Sequence, residues 1–196
     1  METINNLSST EFCRIFENIV EHSPMVGEEL DRLRPFSSSN QFLQLVDIVI
    51  KSLPNCQKIE ILEKHPDLAG KLADSNLLTP ESTREQKAAG LDLMSPEQKQ
   101  KIVELNNVYS SWVMGWKWPD VGVEDVHGGL KGGFRSQFGF TFVVCARENK
   151  ADSILRGLDG RVLNTAEREL EIGINEVSKI ARLRAQDILS SYQSKL

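Results

Sequence analysis

Apolar residues recur at three- and four-residue intervals along most of the chain, the period expected of helices that each bury one stripe. Phe12, Ile15, Phe16 and Ile19 make the first stripe. It opens on a capping box of Ser8 and Glu11, with Leu7 placed to staple onto Phe12, and it ends near His22 and Pro24. Val26, Leu30 and Leu33 predict a short second helix between Pro24 and Arg34. Phe42, Leu45, Val46, Val49 and Leu53 predict a third, entered from the serine-rich turn at 37–40. After the break at Pro54, Asn55 is placed to cap a helix that delivers His65, and Thr79 or Ser82 caps the next. Ser95, Pro96 and Gln98 read as cap, first-turn proline and capping-box partner for a helix carrying Ile102, Leu105, Val108 and Tyr109 towards Trp112. Asn149 is expected to cap the Ile154, Leu155 and Leu158 helix, and Thr165 the last one. The inner stripe of that last helix is Leu170, Ile174, Val177, Ala181 and Ile188, with Glu167 and Glu169 near its positive end.

Two stretches break the period. Residues 138–145 are a dense aromatic and β-branched run whose length suits a buried extended segment. Residues 112–133 hold Trp112, Trp116 and Trp118, then Gly122, Gly128, Gly129, Gly132 and Gly133, with His127 among the glycines. A surface excursion over about 112–135 is the favoured reading, ahead of an active-site lid. The pattern predicts an all-α, single-domain helical bundle over residues 1–196, with one short extended aromatic segment.

Composition narrows the class. With 196 residues and 40% hydrophobic content the chain can bury one good core. A formal net charge of −5 and the lack of a basic patch argue against nucleic acid as partner. Neither a signal peptide nor a membrane-spanning run is expected, so no membrane partner is either. Cys13, Cys56 and Cys145 lack metal or redox spacing and read as reduced thiols. No His, Cys or carboxylate spacing suggests a metal. The final Ser194, Lys195 and Leu196 match the peroxisomal address, which implies a peroxisomal import receptor as partner.

The candidate chemistry lies in two stretches. His65 ends a helical pattern directly before Pro66, which biases it to extended backbone at a bend. Pro66 suits the first position of a new helix through Leu68 and Leu72, with Asp67 as a helix-start residue. Ser82, Glu85 and Gln86 fall at i, i+3 and i+4, putting a hydroxyl, a carboxylate and an amide on one face. Glu85 has two readings, as a partner of His65 or as the capping-box glutamate of Ser82. By itself Arg161 reads as a surface arginine.

The strings HPDLAGK at 65–71 and STREQKAAGL at 82–91 resemble those of the ureidoimidazoline decarboxylases of urate breakdown. LNNVY at 105–109, FGFTF at 138–142 and RVLN at 161–164 follow in the family's order. The resemblance implies decarboxylation of 2-oxo-4-hydroxy-4-carboxy-5-ureidoimidazoline (OHCU) to (S)-allantoin, without cofactor and commonly in a homodimer. It implies His65 and Glu85 as catalytic residues. It also implies substrate contacts from Pro66, Ser82, Thr83, Arg84, Gln86 and Arg161, and from the segment Phe138, Gly139, Phe140, Thr141 and Phe142. Thr141 stands where the family often has proline, and the 112–133 stretch is longer than the family's usual connection. Glu85 beside His65 is expected to favour the imidazolium and orient the ring. The rival expectation is a non-catalytic helical interaction module on the same scaffold.

Overall fold

A computed structural model describes residues 1–69, 78–110 and 138–193. The expectations about the three tryptophans, His127 and its glycines, and the Ser194, Lys195 and Leu196 address lie outside the described residues. Among the described residues there are nine α-helices and no strand: α1 (Glu2–Asn5), α2 (Ser9–Phe16), α3 (Met25–Arg32), α4 (Ser39–Ser52), α5 (Asn55–Lys64), α6 (Pro80–Ala88), α7 (Pro96–Ser110), α8 (Ala151–Arg161) and α9 (Ala166–Gln193). Short 3₁₀ turns stand at Leu91–Leu93 and Ala146–Glu148. The all-α bundle is as the periodicity predicts.

Most helices begin where a side chain can serve orphan N–H groups. Ser8 and Glu11 form the full capping box of α2, and Ser38 caps α4 by accepting from the Gln41 N–H. Thr79 caps α6 by accepting from the Ser82 N–H, with Pro80 in the first turn. Ser95 and Gln98 close the box of α7, and Thr165 accepts from the Arg168 N–H at the start of α9. Two expected caps are corrected. Asn55 is the first residue of α5, behind Pro54, and no side chain caps that helix. Asn149 donates instead to the Cys145 carbonyl (3.0 Å), and Lys150 precedes α8. There the Ala151 N–H is satisfied from another element, by the Ala89 carbonyl at 3.1 Å.

At the N-terminal end, Phe12, Phe16, Phe36 and Phe42 interlock, with ring centroids 4.6 Å apart for Phe12–Phe16 and 4.8 Å for Phe36–Phe42. The long helix α9 has its most extensive contact with α4 and also lies along α5. Gly173 permits the second approach, since a Cβ there would meet both Leu62 methyl carbons at 3.0 Å. That contact sets the height at which α5 hands over to His65.

Of the segment at 138–145, expected to be extended throughout, residues 138–140 form a bend and 141–145 run without regular secondary structure or strand pairing among the described residues, so side chains serve its backbone. Arg161 Nη1 donates to the Val143 carbonyl (2.8 Å), and the Cys145 N–H donates to Glu176 (2.8 Å). Gly139 takes φ +78°, a left-handed conformation that suits a residue without Cβ.

Candidate active site

His65 terminates α5 with φ −75° and ψ 137°, the extended backbone that Pro66 demands. Pro66 and Asp67 do not continue as a helix, and Leu68 and Ala69 form a turn with Ala69 at φ +49°. The helix predicted from Pro66 therefore does not begin there, and the rest of its predicted span, from residue 70 to Leu72, lies outside the described residues. The His65 ring is buried. Its Nδ1–H donates to the Ile61 carbonyl (2.7 Å), since a carbonyl oxygen only accepts. This bond fixes the tautomer and leaves Nε2 as the basic nitrogen, buried and without a hydrogen-bond partner. Burial pushes the imidazole pKa down to about 4. The Ile61 bond and the Glu21 carboxylate pull it up, while Arg184 and His22 add to the downward push. At neutral pH the ring is a neutral base.

On α6, the cap at Thr79 turns the Ser82, Glu85 and Gln86 face inward, and all three line one hollow with His65 and Pro66. Leu68, Phe142, Val143, Val144, Ala146, Ile180 and Arg184 complete the lining. Because Thr79 is the cap, the reading of Glu85 as partner of a Ser82 cap does not hold. Gln86 accepts from the Ala69 N–H (3.2 Å), tying the turn after His65 to α6.

Glu85 does not pair with His65. Both its oxygens are taken by Arg184, from Nε at 2.9 Å and from Nη2 at 2.7 Å. Arg184 also donates to Glu21 (2.7 Å), to Ser82 Oγ (3.2 Å) and to the Asn18 carbonyl (3.1 Å). Glu21 further accepts from Thr79 (2.6 Å) and Ser82 (3.0 Å). Burial pushes the Glu21 carboxyl up. The Arg184 charge and the hydrogen bonds outweigh this, holding it below the usual carboxylate range. Burial disfavours the Arg184 cation, yet Glu85 and Glu21 raise its pKa above the ordinary arginine value. Sequence reasoning missed both residues. One signal for Arg184 was available: it sits three residues after Ala181 on the inner stripe of α9.

The remaining expected residues divide. Phe142 lines the hollow, whereas Phe138 and Phe140 stack at 6.0 Å in the core, and neither Gly139 nor Thr141 is among the lining residues. Thr83 and Arg84 are exposed on the far face of α6. Arg84 faces an open groove of ≈ 910 Å³ that also touches Glu85 and Arg184. Arg161 is held behind the hollow wall, in an ion pair with buried Glu169 and with its guanidinium carbon 4.3 Å from the Phe142 ring centre. Burial pushes the Cys145 thiol up to about 11, with Glu148 and Glu176 adding, so it is no activated nucleophile. Among the described residues no three His, Cys, Asp or Glu side chains gather as a metal site requires.

The profile of the family described as OHCU decarboxylase matches residues 5–113 and 130–186. This chain belongs to that family. The break in the match, at 114–129, falls within the tryptophan- and glycine-rich stretch. A 2-oxo-4-hydroxy-4-carboxy-5-ureidoimidazoline decarboxylase of Xenopus laevis is 35% identical over 96% of this chain and 93% of its own length. A crystal structure of OHCU decarboxylase in the presence of (S)-allantoin superposes with a TM-score of 0.65 at 20% identity, covering 90% of this chain and 98% of that one. An (S)-allantoin synthase structure also gives 0.65, at 21% identity, over 95% of this chain and 53% of that chain.

Proposed function

We propose that this OHCU decarboxylase family member converts OHCU to (S)-allantoin in urate degradation. Family membership over nearly the whole chain supports the reaction class. The observation that carries the local chemistry is the buried, unpartnered Nε2 of His65 in a hollow shared with Ser82, Glu85 and Gln86.

The substrate carries its carboxylate and hydroxyl on one ring carbon, beside a ring carbon doubly bonded to nitrogen. As the carboxylate leaves as carbon dioxide, its bonding pair forms a carbon–carbon double bond and the C=N pair moves onto nitrogen, which takes a proton. The resulting enol loses its hydroxyl proton while the neighbouring carbon gains one, giving the ring amide carbonyl of allantoin. The substrate's own C=N bond accepts the electrons, so the reaction as written needs no cofactor. Neutral His65 accepts the hydroxyl hydrogen bond at Nε2 and manages that proton. Ser82 and Gln86 bind ring amide groups, and the apolar wall of Phe142 and Val143 shields one face. Arg161 acts through the wall segment that it braces. In cells the chain acts in the peroxisome, delivered by an import receptor that reads Ser194, Lys195 and Leu196, and it works as a homodimer.

The test is to generate OHCU enzymatically from urate and follow circular dichroism. The expected result is accelerated formation of (S)-allantoin, with His65→Ala slower by about two to four orders of magnitude at unchanged helical content. Decay at the spontaneous rate with folded protein, or full activity in His65→Ala, overturns this reading.

A further inference from the structure

Arg184 comes from an element that carries none of the residues so far given a chemical role. It lies on the inner stripe of α9 at 5% exposure, among Ile180, Ala181 and Ala185. A guanidinium offers five N–H donors in a rigid fork, and here five contacts use them. Nε meets one Glu85 oxygen; Nη2 meets the other and Ser82; Nη1 meets Glu21 and the Asn18 carbonyl. Three chain segments thus converge on one side chain: the region after α2, which supplies Asn18 and Glu21, α6, which supplies Ser82 and Glu85, and α9 itself. A cation this buried is costly unless fully paired, and apolar residues can often replace such a network without loss of stability. Stability alone therefore gives little reason for the arrangement. Its placement does: two of its partners, Ser82 and Glu85, line the hollow, as does Arg184.

The arrangement also explains why His65 Nε2 has no protein partner while a carboxylate lines the same hollow. We propose that Arg184 is the positioning residue of the site, clamping Glu85 and Ser82 so that the Glu85 carboxylate is turned onto the guanidinium rather than onto His65 Nε2. A free Glu85 carboxylate would draw a proton onto the imidazole and occupy the nitrogen that the substrate hydroxyl needs. Lysine cannot replace this fork, because a single ammonium holds one carboxylate oxygen well but not two in fixed register with a third group. Of the titratable and charged groups around His65, Glu85 on α6 and Arg184 on α9 line the hollow with it, while Glu21 and His22 after α2 act on it from outside the lining. The segment at 142–146 contributes only apolar residues to the lining.

The inference rests on the proposed reaction for its kinetic arm and stands apart from it in a titration arm. Arg184→Lys and Arg184→Gln are made in the full chain, and circular dichroism checks their helical content. Nitrogen NMR follows the His65 imidazole, assigned with His65→Gln, across pH. In Arg184→Lys the midpoint is expected to rise by about half a pH unit or more, as Glu85 comes loose. In Arg184→Gln it rises further, because the opposing positive charge is gone as well. The kcat of Arg184→Lys falls at least about tenfold, with KM changed far less, since Gln86 and the apolar wall of Phe142 and Val143 stay in place even as Ser82 loosens. A smaller fall in kcat, or an unmoved midpoint in either folded variant, overturns the assignment. Should Arg184→Gln fail to fold, the charge-retaining lysine variant decides. If wild type does not accelerate OHCU decay, the proposed function fails while the titration still judges Arg184.

Discussion

At the scale of single residues, the site depends on a histidine that the protein keeps uncharged. Its pKa of about 4 lies below the ordinary 6.5, so the unfolded chain binds a proton that the folded chain refuses. The stability tied to His65 is full above pH 6.5, declines as pH falls through that window, and levels out once pH is below 4. Wild type is expected to lose roughly 3 kcal/mol more than His65→Gln between pH 7 and pH 4, by denaturant titration at each pH. Equal losses would remove the buried neutral ring from the account. Glu85→Gln is expected to lower turnover strongly and to destabilise by about 3 kcal/mol, because it strips one of the two carboxylates that pay for buried Arg184. Normal turnover with lowered stability would leave Glu85 a structural role alone. The bend at His65 and the shared face of Ser82, Glu85 and Gln86 were legible from a proline and an i, i+3, i+4 spacing, whereas joining them into one site took the resemblance to the decarboxylase family. Glu21 and Arg184 were not legible. Their roles arise from pairing at sequence separations of 163 and 99 residues, and no local pattern encodes a partner that far away.

The helices were legible to the extent that each carries its own cap. Ser8, Ser38, Thr79, Ser95 and Thr165 act on backbone groups three residues on, so sequence names Ser8, Ser95 and Thr165 outright and narrows the others to the 37–40 turn and to Thr79 or Ser82. The start of α8 escaped because its first N–H group is served by Ala89, on a different element. The bend after His65 escaped for a similar reason: Gln86 holds the Ala69 N–H and stabilises a turn where Pro66 alone suggested a helix. Packing between elements also reaches the chemistry. Gly173 of α9 lies against Leu62 of α5, three residues before His65. Gly173→Val forces the two helices apart. It is expected to cost about 1–3 kcal/mol, and it should lower kcat although the substituted residue is absent from the hollow. Thermal denaturation together with the allantoin assay checks both parts; unchanged kcat in the destabilised variant would uncouple helix spacing from His65.

Across the whole molecule, the phenylalanine cluster and the hollow share the packing of α4, α5 and α9. Phe42 is fully buried among three other rings, so Phe42→Ala is expected to cost about 3–5 kcal/mol. Calorimetry should show one transition shifted as a unit; a split into two would mean that the N-terminal cluster unfolds by itself. The all-α architecture was legible because the period of its stripes is global. The site needed the fold, since α5, α6 and α9 meet only once the bundle has closed.

The clamp at Arg184 also constrains the order in which a working protein can arise. Until α9 has been synthesised, Glu21 and Glu85 have no cation to separate them, and two carboxylates repel when brought near each other. A growing polypeptide on the ribosome is thus discouraged from assembling the pocket early, and catalytic competence comes with the docking of the last helix.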